Sequence, residues 1–306
     1  MAVKQLKTPR KARLLKITAQ SLNGFVSPCK PPHFYSTNQI PLIVMKCLLR
    51  VLVFIVMPCI VSAQADTINF TSHALQIHQL KTGTRQYLVY FQHPAQNKTL
   101  RFSLWQRSID TIRFNNQPLF RIVQQWYGTD SAQFRSVYSL SSRTDFKPAF
   151  HEETLNGKTK AYNWYADHIT GADSITANTA AAFNLPLEYP TLNWNLDIET
   201  FEMLPLAEGK TFVIPFYDAG LTPPAFITYK VTGSEKLNTR EGVTDCWKLL
   251  TEGVHNNSRY TQTFWISKQE HELLKEEDQF NGGYRYKIKI PAFSPDITAR
   301  FAAQTP

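Results

Sequence analysis

Apolar and polar positions alternate through most of the chain beyond residue 64. The clearest run is Tyr284-Arg285-Tyr286-Lys287-Ile288-Lys289-Ile290, with aromatic and branched side chains on one face and cations on the other. A period of two sends successive side chains to opposite faces of a β-strand. Shorter runs of the same kind cover 87–91, 100–105, 119–123, 162–165, 212–216, 226–231 and 260–266. Asn156-Gly157 and Asn281-Gly282-Gly283 separate neighbouring runs and supply the positive φ values of tight hairpin turns. Many short strands joined in this way predict a mainly β fold. The expected form is a curved antiparallel sheet or half-barrel with one face buried and one wet.

One stretch follows a different period. Leu192, Leu196, Glu199 and Met203 fall three or four residues apart, as do Trp194, Ile198 and Phe201. That spacing predicts one packed helix over about 192–204, capped by Thr191 or Asn193 and stopped by Pro205. No repeat of solenoid or propeller length is evident. Neither a Pro/Gly-rich linker nor a charge block divides 64–306, which reads as a single β-rich domain.

The beginning of the chain reads differently. Met45, Lys46 and Arg50 lead into an apolar run from Val51 to Val61, closed by Ser62-Ala63. This is the layout of a signal peptide over 45–63, with a mature chain from Gln64. The run is shorter than the roughly 20 residues a membrane anchor needs. Met57-Pro58 before Cys59 fit a lipoprotein poorly. Residues 1–44 are basic and acid-free, superficially like an organellar transit peptide, and read as a non-native upstream extension.

This division changes the charge argument. The whole chain carries a formal +9, but residues 1–63 hold nine of its 33 Lys and Arg and none of its 24 Asp and Glu. The remainder is balanced, with 24 of each sign. A nucleic-acid partner loses its electrostatic support. Cys29, Cys47 and Cys59 also fall in the prefix, leaving Cys246 with no internal disulfide partner. Its strand-like flank reads as the setting of a buried structural thiol.

Catalytic signatures are missing: no nucleophile elbow, zinc-protease helix, phosphate-binding loop or dinucleotide fingerprint occurs. His73 and His78 are spaced to lie on opposite faces of a strand, and His271 sits in a hairpin loop with no partner of its own. Glu152-Glu153 and Glu276-Glu277-Asp278 read as exposed charges rather than an acid/base pair. Asp167-His168 and Ser174 supply triad residue types without triad geometry. The expectation is therefore a non-enzyme with no metal and no cofactor.

The aromatic residues suit either a sheet core or an apolar groove with a polar rim. Candidate ligand-binding residues are Trp194, Phe201 and Met203 on the helix, with Phe212, Phe216, Trp247 and Trp265 on strands. Core packing is the competing reading for each of them.

Two stretches carry a family resemblance. Asn195 to Leu206, followed by Ala207-Glu208-Gly209-Lys210-Thr211-Phe212, resembles the helix, Leu-Pro-Leu and Gly-x-x-Phe signature of the domain-of-unknown-function 3108 family, exported by Gram-negative bacteria. Glu241 to Leu249, Phe264 to Lys268 and Leu273 to Glu276 resemble its later strands. An arginine common in the family's helix is absent here, and Glu199 and Glu202 stand in that segment. The resemblance implies the periplasm or outer-membrane periphery and carries no activity. It also implies a distant likeness to lipoprotein carriers of the LolA/LolB type, whose curved sheet wraps an apolar cavity under a helical lid. The expected role is non-catalytic binding of a lipid or other apolar ligand in the cell envelope. The alternatives are an envelope interaction protein with no small ligand and, less favoured, an unrecognised hydrolase.

Overall fold

The computed structural model describes residues 65–93, 101–129, 134–221, 223–255 and 257–291. The signal peptide expected at 45–63 and the extension at 1–44 lie outside the described residues. The first strands are β1 (Asp66–Thr67), β2 (Gly83–Gln92), β3 (Arg101–Phe114) and β4 (Gln117–Tyr127). Next come β5 (Arg135–Ser142), β6 (Pro148–Leu155), β7 (Lys158–Trp164), β8 (His168–Gly171) and β9 (Asn184–Pro186). The central segment holds β10 (Leu192–Asn193) and helix α1 (Asp197–Glu202). The last strands are β11 (Thr211–Tyr217), β12 (Ala225–Thr239), β13 (Gly242–His255), β14 (Ser258–Ser267), β15 (Leu273–Phe280) and β16 (Gly283–Lys289).

Among the described residues these strands form one sheet, ordered β1-β11-β12-β13-β14-β15-β16-β2-β3-β4-β5-β6-β7-β8-β9, with β10 also on β11. Neighbours are antiparallel except β1 and β10, which pair with β11 in parallel. Both turns expected from sequence are present: Asn156 and Gly157 have φ of 52° and 71°, and Asn281 and Gly282 have 49° and 72°. Asn115-Asn116 makes a third such turn, with φ of 48° and 62°.

The sheet is strongly curved. With strands about 4.8 Å apart, β12 and β3 would be separated by roughly 29 Å in a flat sheet. Yet α1 touches both. Phe201 packs 4.6 Å from Tyr229 on β12, and Glu202 accepts a 2.7 Å bond from Arg107 on β3. The edges approach through side chains, with the Trp164 ring on β7 6.0 Å from Tyr217 on β11. No backbone pairing joins them among the described strands, so the sheet is not closed into a barrel.

The chain between β9 and β11 crosses the inside of this curl. The expected helix over 192–204 is shorter in the structure. Leu192 and Asn193 pair with Phe216 and Tyr217, Trp194–Leu196 form one 3-10 turn, and only Asp197–Glu202 are α-helical. The Asn193 side chain caps this turn by accepting from the Asn195 N–H at 3.0 Å. Ile198, Phe201, Met203 and Leu204 join Phe212, Phe216, Tyr229, Leu249 and Phe264 in the main core. Fully burying such side chains contributes about 1.5–3 kcal/mol each.

Candidate functional site

The inner face of the sheet is largely apolar, with Tyr87, Trp105, Ile109, Phe120 and Ile122 of β2 to β4 in the same core as Phe212, Phe216 and Phe264, and polar groups are set into it on β3, β15 and β16. Arg107, from the middle of β3, is fully buried. Its Nη2 donates to both carboxylate oxygens of Glu202, at 2.8 and 2.7 Å. Glu202 Oε1 also accepts the backbone N–H of Leu273 at 2.9 Å. Burial opposes the Arg107 charge, but Glu202, Tyr87 and Glu199 outweigh it and hold the guanidinium above its ordinary value. Glu199 lies 3.6 Å from Arg107 Nε, and neither of its buried oxygens has a hydrogen-bond partner. Burial pushes its carboxyl up to about 7 despite Arg107.

A second polar group lies on the β15–β16 hairpin. Register pairs Glu276 with Lys287 and Asp278 with Arg285. Arg285 bridges Glu276 and Asp278, while Lys287 holds Glu276 at 2.5 Å. Burial pushes Glu276 up, but Lys287 and Arg285 outweigh it and leave the carboxyl below the usual range. Asp278 rises to about 6 through burial and the neighbouring Glu276. Half-buried Asp197, at the start of α1, is also raised to about 6 by desolvation, with Lys287 opposing.

These residues correct one sequence expectation and decide what the alternation left open. Glu276 and Asp278 are buried, not exposed charges. On β16 the cations turn inward to meet them, while Tyr284, Tyr286 and Ile288 occupy the outer face. A period of two identifies two faces without saying which is inside. The opposite signs on paired strands were nevertheless readable, because a turn at Asn281-Gly282 sets Asp278 against Arg285.

Beside this network a cavity of about 400 Å³ opens to solvent. Trp194, Tyr260 and Phe280 provide its aromatic surface, and Gln262, Asp278 and Arg285 its polar floor. Gln262 Nε2 donates to Asp278 Oδ1 at 3.2 Å, whereas the buried Arg285 Nε has no partner. A second cavity, of about 460 Å³, lies between the end of the β12–β13 hairpin and the β14–β15 turn, with Leu237, Leu274 and Ile288 in its wall.

Of the ligand-binding candidates, Trp194 lines the first cavity and meets the Phe216 ring edge-on at 5.4 Å. Phe201, Met203, Phe212 and Phe216 are buried in the core, and Trp247 packs against it half-buried. Trp265 lies on the opposite face of β14 from Phe264, covered by Lys275 at 4.0 Å and Lys248 at 5.5 Å. Buried Cys246 has its thiol pushed up to about 11 by desolvation, as suits an inert structural cysteine.

The histidines also differ from expectation. His73 lies in a loop with φ of 52° and His78 in a 3-10 turn, so neither belongs to a strand. His271 has a partner: its Nδ1 lies 3.3 Å from the Glu202 carbonyl oxygen. His151, unremarked in the sequence, lies 2.9 Å from Ser139 Oγ and 3.1 Å from Asn193 Nδ2. Burial, followed by Arg135, holds its imidazole near 3, so it is neutral at pH 7. Both members of this Ser–His pair are enclosed in the core. Asp167 and His168 contact each other at 2.7 Å on an exposed hairpin. Among the described residues, no group of three or more His, Cys, Asp or Glu is arranged to hold a metal. No described helix is long and apolar enough to cross a membrane.

An open curved antiparallel sheet, wrapped around a short internal helix anchored by buried ion pairs, defines the architectural class. The model of the family described as protein of unknown function, DUF3108, matches residues 86–289, more than half of the chain. The chain belongs to that family. In structure it is similar to a candidate exported protein with a YmcC-like fold from Bacteroides fragilis, at a TM-score of 0.31 and 11% identity. That likeness covers 68% of this chain and 94% of the other. No curated protein matches the sequence.

Proposed function

We propose that this protein is an exported, non-catalytic binding protein of the cell envelope, with its site in the cavity beside Trp194. The observation that carries this reading is the cavity's mixed lining: aromatic rings on one side, and a hydrogen-bonding floor of Gln262, Asp278 and Arg285 on the other. Such a lining suits an amphipathic molecule better than a bare acyl chain, because burying the polar floor under hydrocarbon would cost its hydration. The internal helix already fills the apolar inside of the curl, so the ligand binds at its mouth. Balanced charge over residues 64–306 supports a neutral or amphipathic ligand over a polyanion.

The test is native mass spectrometry of residues 64–306 after export to a bacterial periplasm, with solvent extraction and lipid analysis. A stoichiometric adduct, lost in Trp194→Ala, is the expected result. An apo mass in several lipid backgrounds overturns it. That outcome would favour an interaction protein, for which the outer face supplies a surface. There Ile288, Leu88 and Leu104 form one cross-strand row, and Tyr286, Tyr90 and Phe102 another. Leu88 and Phe102 are 40% and 51% exposed.

A further inference from the structure

We infer that the group this cavity recognises is an uncharged sugar ring, an inference that rests on the binding reading above and names its ligand class. The first observation is an aromatic platform. Tyr260 on β14 faces Gly253 on β13, and a β-carbon at Gly253 would come within 2.8 Å of Tyr260 Oη and 2.9 Å of Cζ and Cε1. The missing side chain therefore lets the phenol ring lie across the neighbouring strand. Trp194 stands beside the same space, and Phe280, 38% exposed, forms its rim. Flat aromatic surfaces match the apolar C–H face of a pyranose, while the edge of such a ring carries hydroxyls.

The floor supplies the complementary half. Asp278 accepts, Arg285 donates, and the Gln262 amide does both, which suits hydroxyls that each donate one bond and accept others. Arg285 lines the cavity as a residue, so its guanidinium lies beside the space a ligand oxygen would occupy. Charge on the floor is already compensated: Arg285 lies between Glu276 and Asp278, and Lys287 neutralises Glu276. An ion entering here would find little surplus charge, whereas a neutral polyol would find donors and acceptors side by side. Exposed Arg259 at the rim is screened by solvent and does not alter this balance. A volume of about 400 Å³ falls within the usual range for small-molecule sites.

The sugar has two sources, a free oligosaccharide or the headgroup of a glycolipid. Saturation-transfer NMR on residues 64–306 would use methyl glucoside, methyl galactoside, N-acetylglucosamine and maltose. Flotation with phosphatidylcholine vesicles, with and without digalactosyl diacylglycerol, would test the headgroup. Gly253→Ala should displace Tyr260 without touching the polar floor and weaken sugar binding about tenfold. Phe280→Ala, at an exposed rim position, gives a second readout if Gly253→Ala fails to fold. Transfer to the sugar C–H protons supports a free saccharide. Flotation only with the glycolipid supports a headgroup. A sugar-free amphiphile in the mass spectrum, with no sugar response, overturns the sugar class and leaves the binding reading standing. No adduct and no sugar response overturn both.

Discussion

Glu199 and Arg107 concentrate the energetic consequences of burial. The Glu199 carboxyl, raised to about 7 by desolvation, keeps its proton in the folded protein over a range where the unfolded chain has lost it. The unfolded state then binds fewer protons, so this group makes stability fall as pH rises from about 4.5 to 7. Glu199→Gln should raise stability at pH 8 by roughly 3 kcal/mol and make no difference below pH 4. Urea denaturation at the two pH values measures this, and an equal effect at both would contradict it. Arg107→Met should cost about 3–5 kcal/mol, because it leaves Glu202 charged and unpaired in the core. If Arg107→Met and Glu202→Gln together restore most of that loss, the penalty lies in the stranded charge and not in lost packing.

At the scale of elements, the central segment is held more by specific contacts than by helical propensity. A six-residue α-helix is far below the length that is stable alone in water. Its entry is fixed by Asn193, which caps the 3-10 turn and also contacts His151. Asn193→Ala should therefore cost about 1–2 kcal/mol. Asn193→Ser should restore the cap without burying a charge, and chemical denaturation of the pair separates capping from the His151 contact. The β15–β16 hairpin is similarly specific, since a one-residue slip would turn Glu276, Asp278, Arg285 and Lys287 outward together.

The whole molecule depends on a late strand. β16 joins β15 to β2, pairing Tyr286 with Tyr90 and Lys287 with Val89 across most of the chain. Most neighbours in the sheet are consecutive strands, so this pairing carries the long loop closure that slows folding. Deleting residues 283–291 divides the sheet and exposes two long edges. The shortened chain should lose its cooperative thermal transition, as followed by circular dichroism, and aggregate. A retained sharp transition would show that the two parts fold independently. The natural edges are protected: β9 has three residues, and β1 and β10 cover β11 with two each.

The sequence alone determined the alternation along the strands, the asparagine-glycine turns, the family resemblance and the structural character of Cys246. All of these arise from local stereochemistry or local composition. It also located the departure from β structure near Trp194 to Phe201, although part of that amphipathic stretch pairs as strand because β11 offers an open edge. What it could not decide was the direction of each face. Alternation in Tyr284 to Ile290 looks the same with its aromatics inside or outside. The β15–β16 hairpin sets Glu276 and Asp278 against Lys287 and Arg285, but only the curl turns that face inward, toward Asp197 of α1. Arg107 and Glu202, 95 residues apart, meet for the same reason. Gly253 acquires its meaning only when Tyr260 lies over it. Burial of these charges depends on contacts between distant segments, and those exist only once the sheet has curled around its helix.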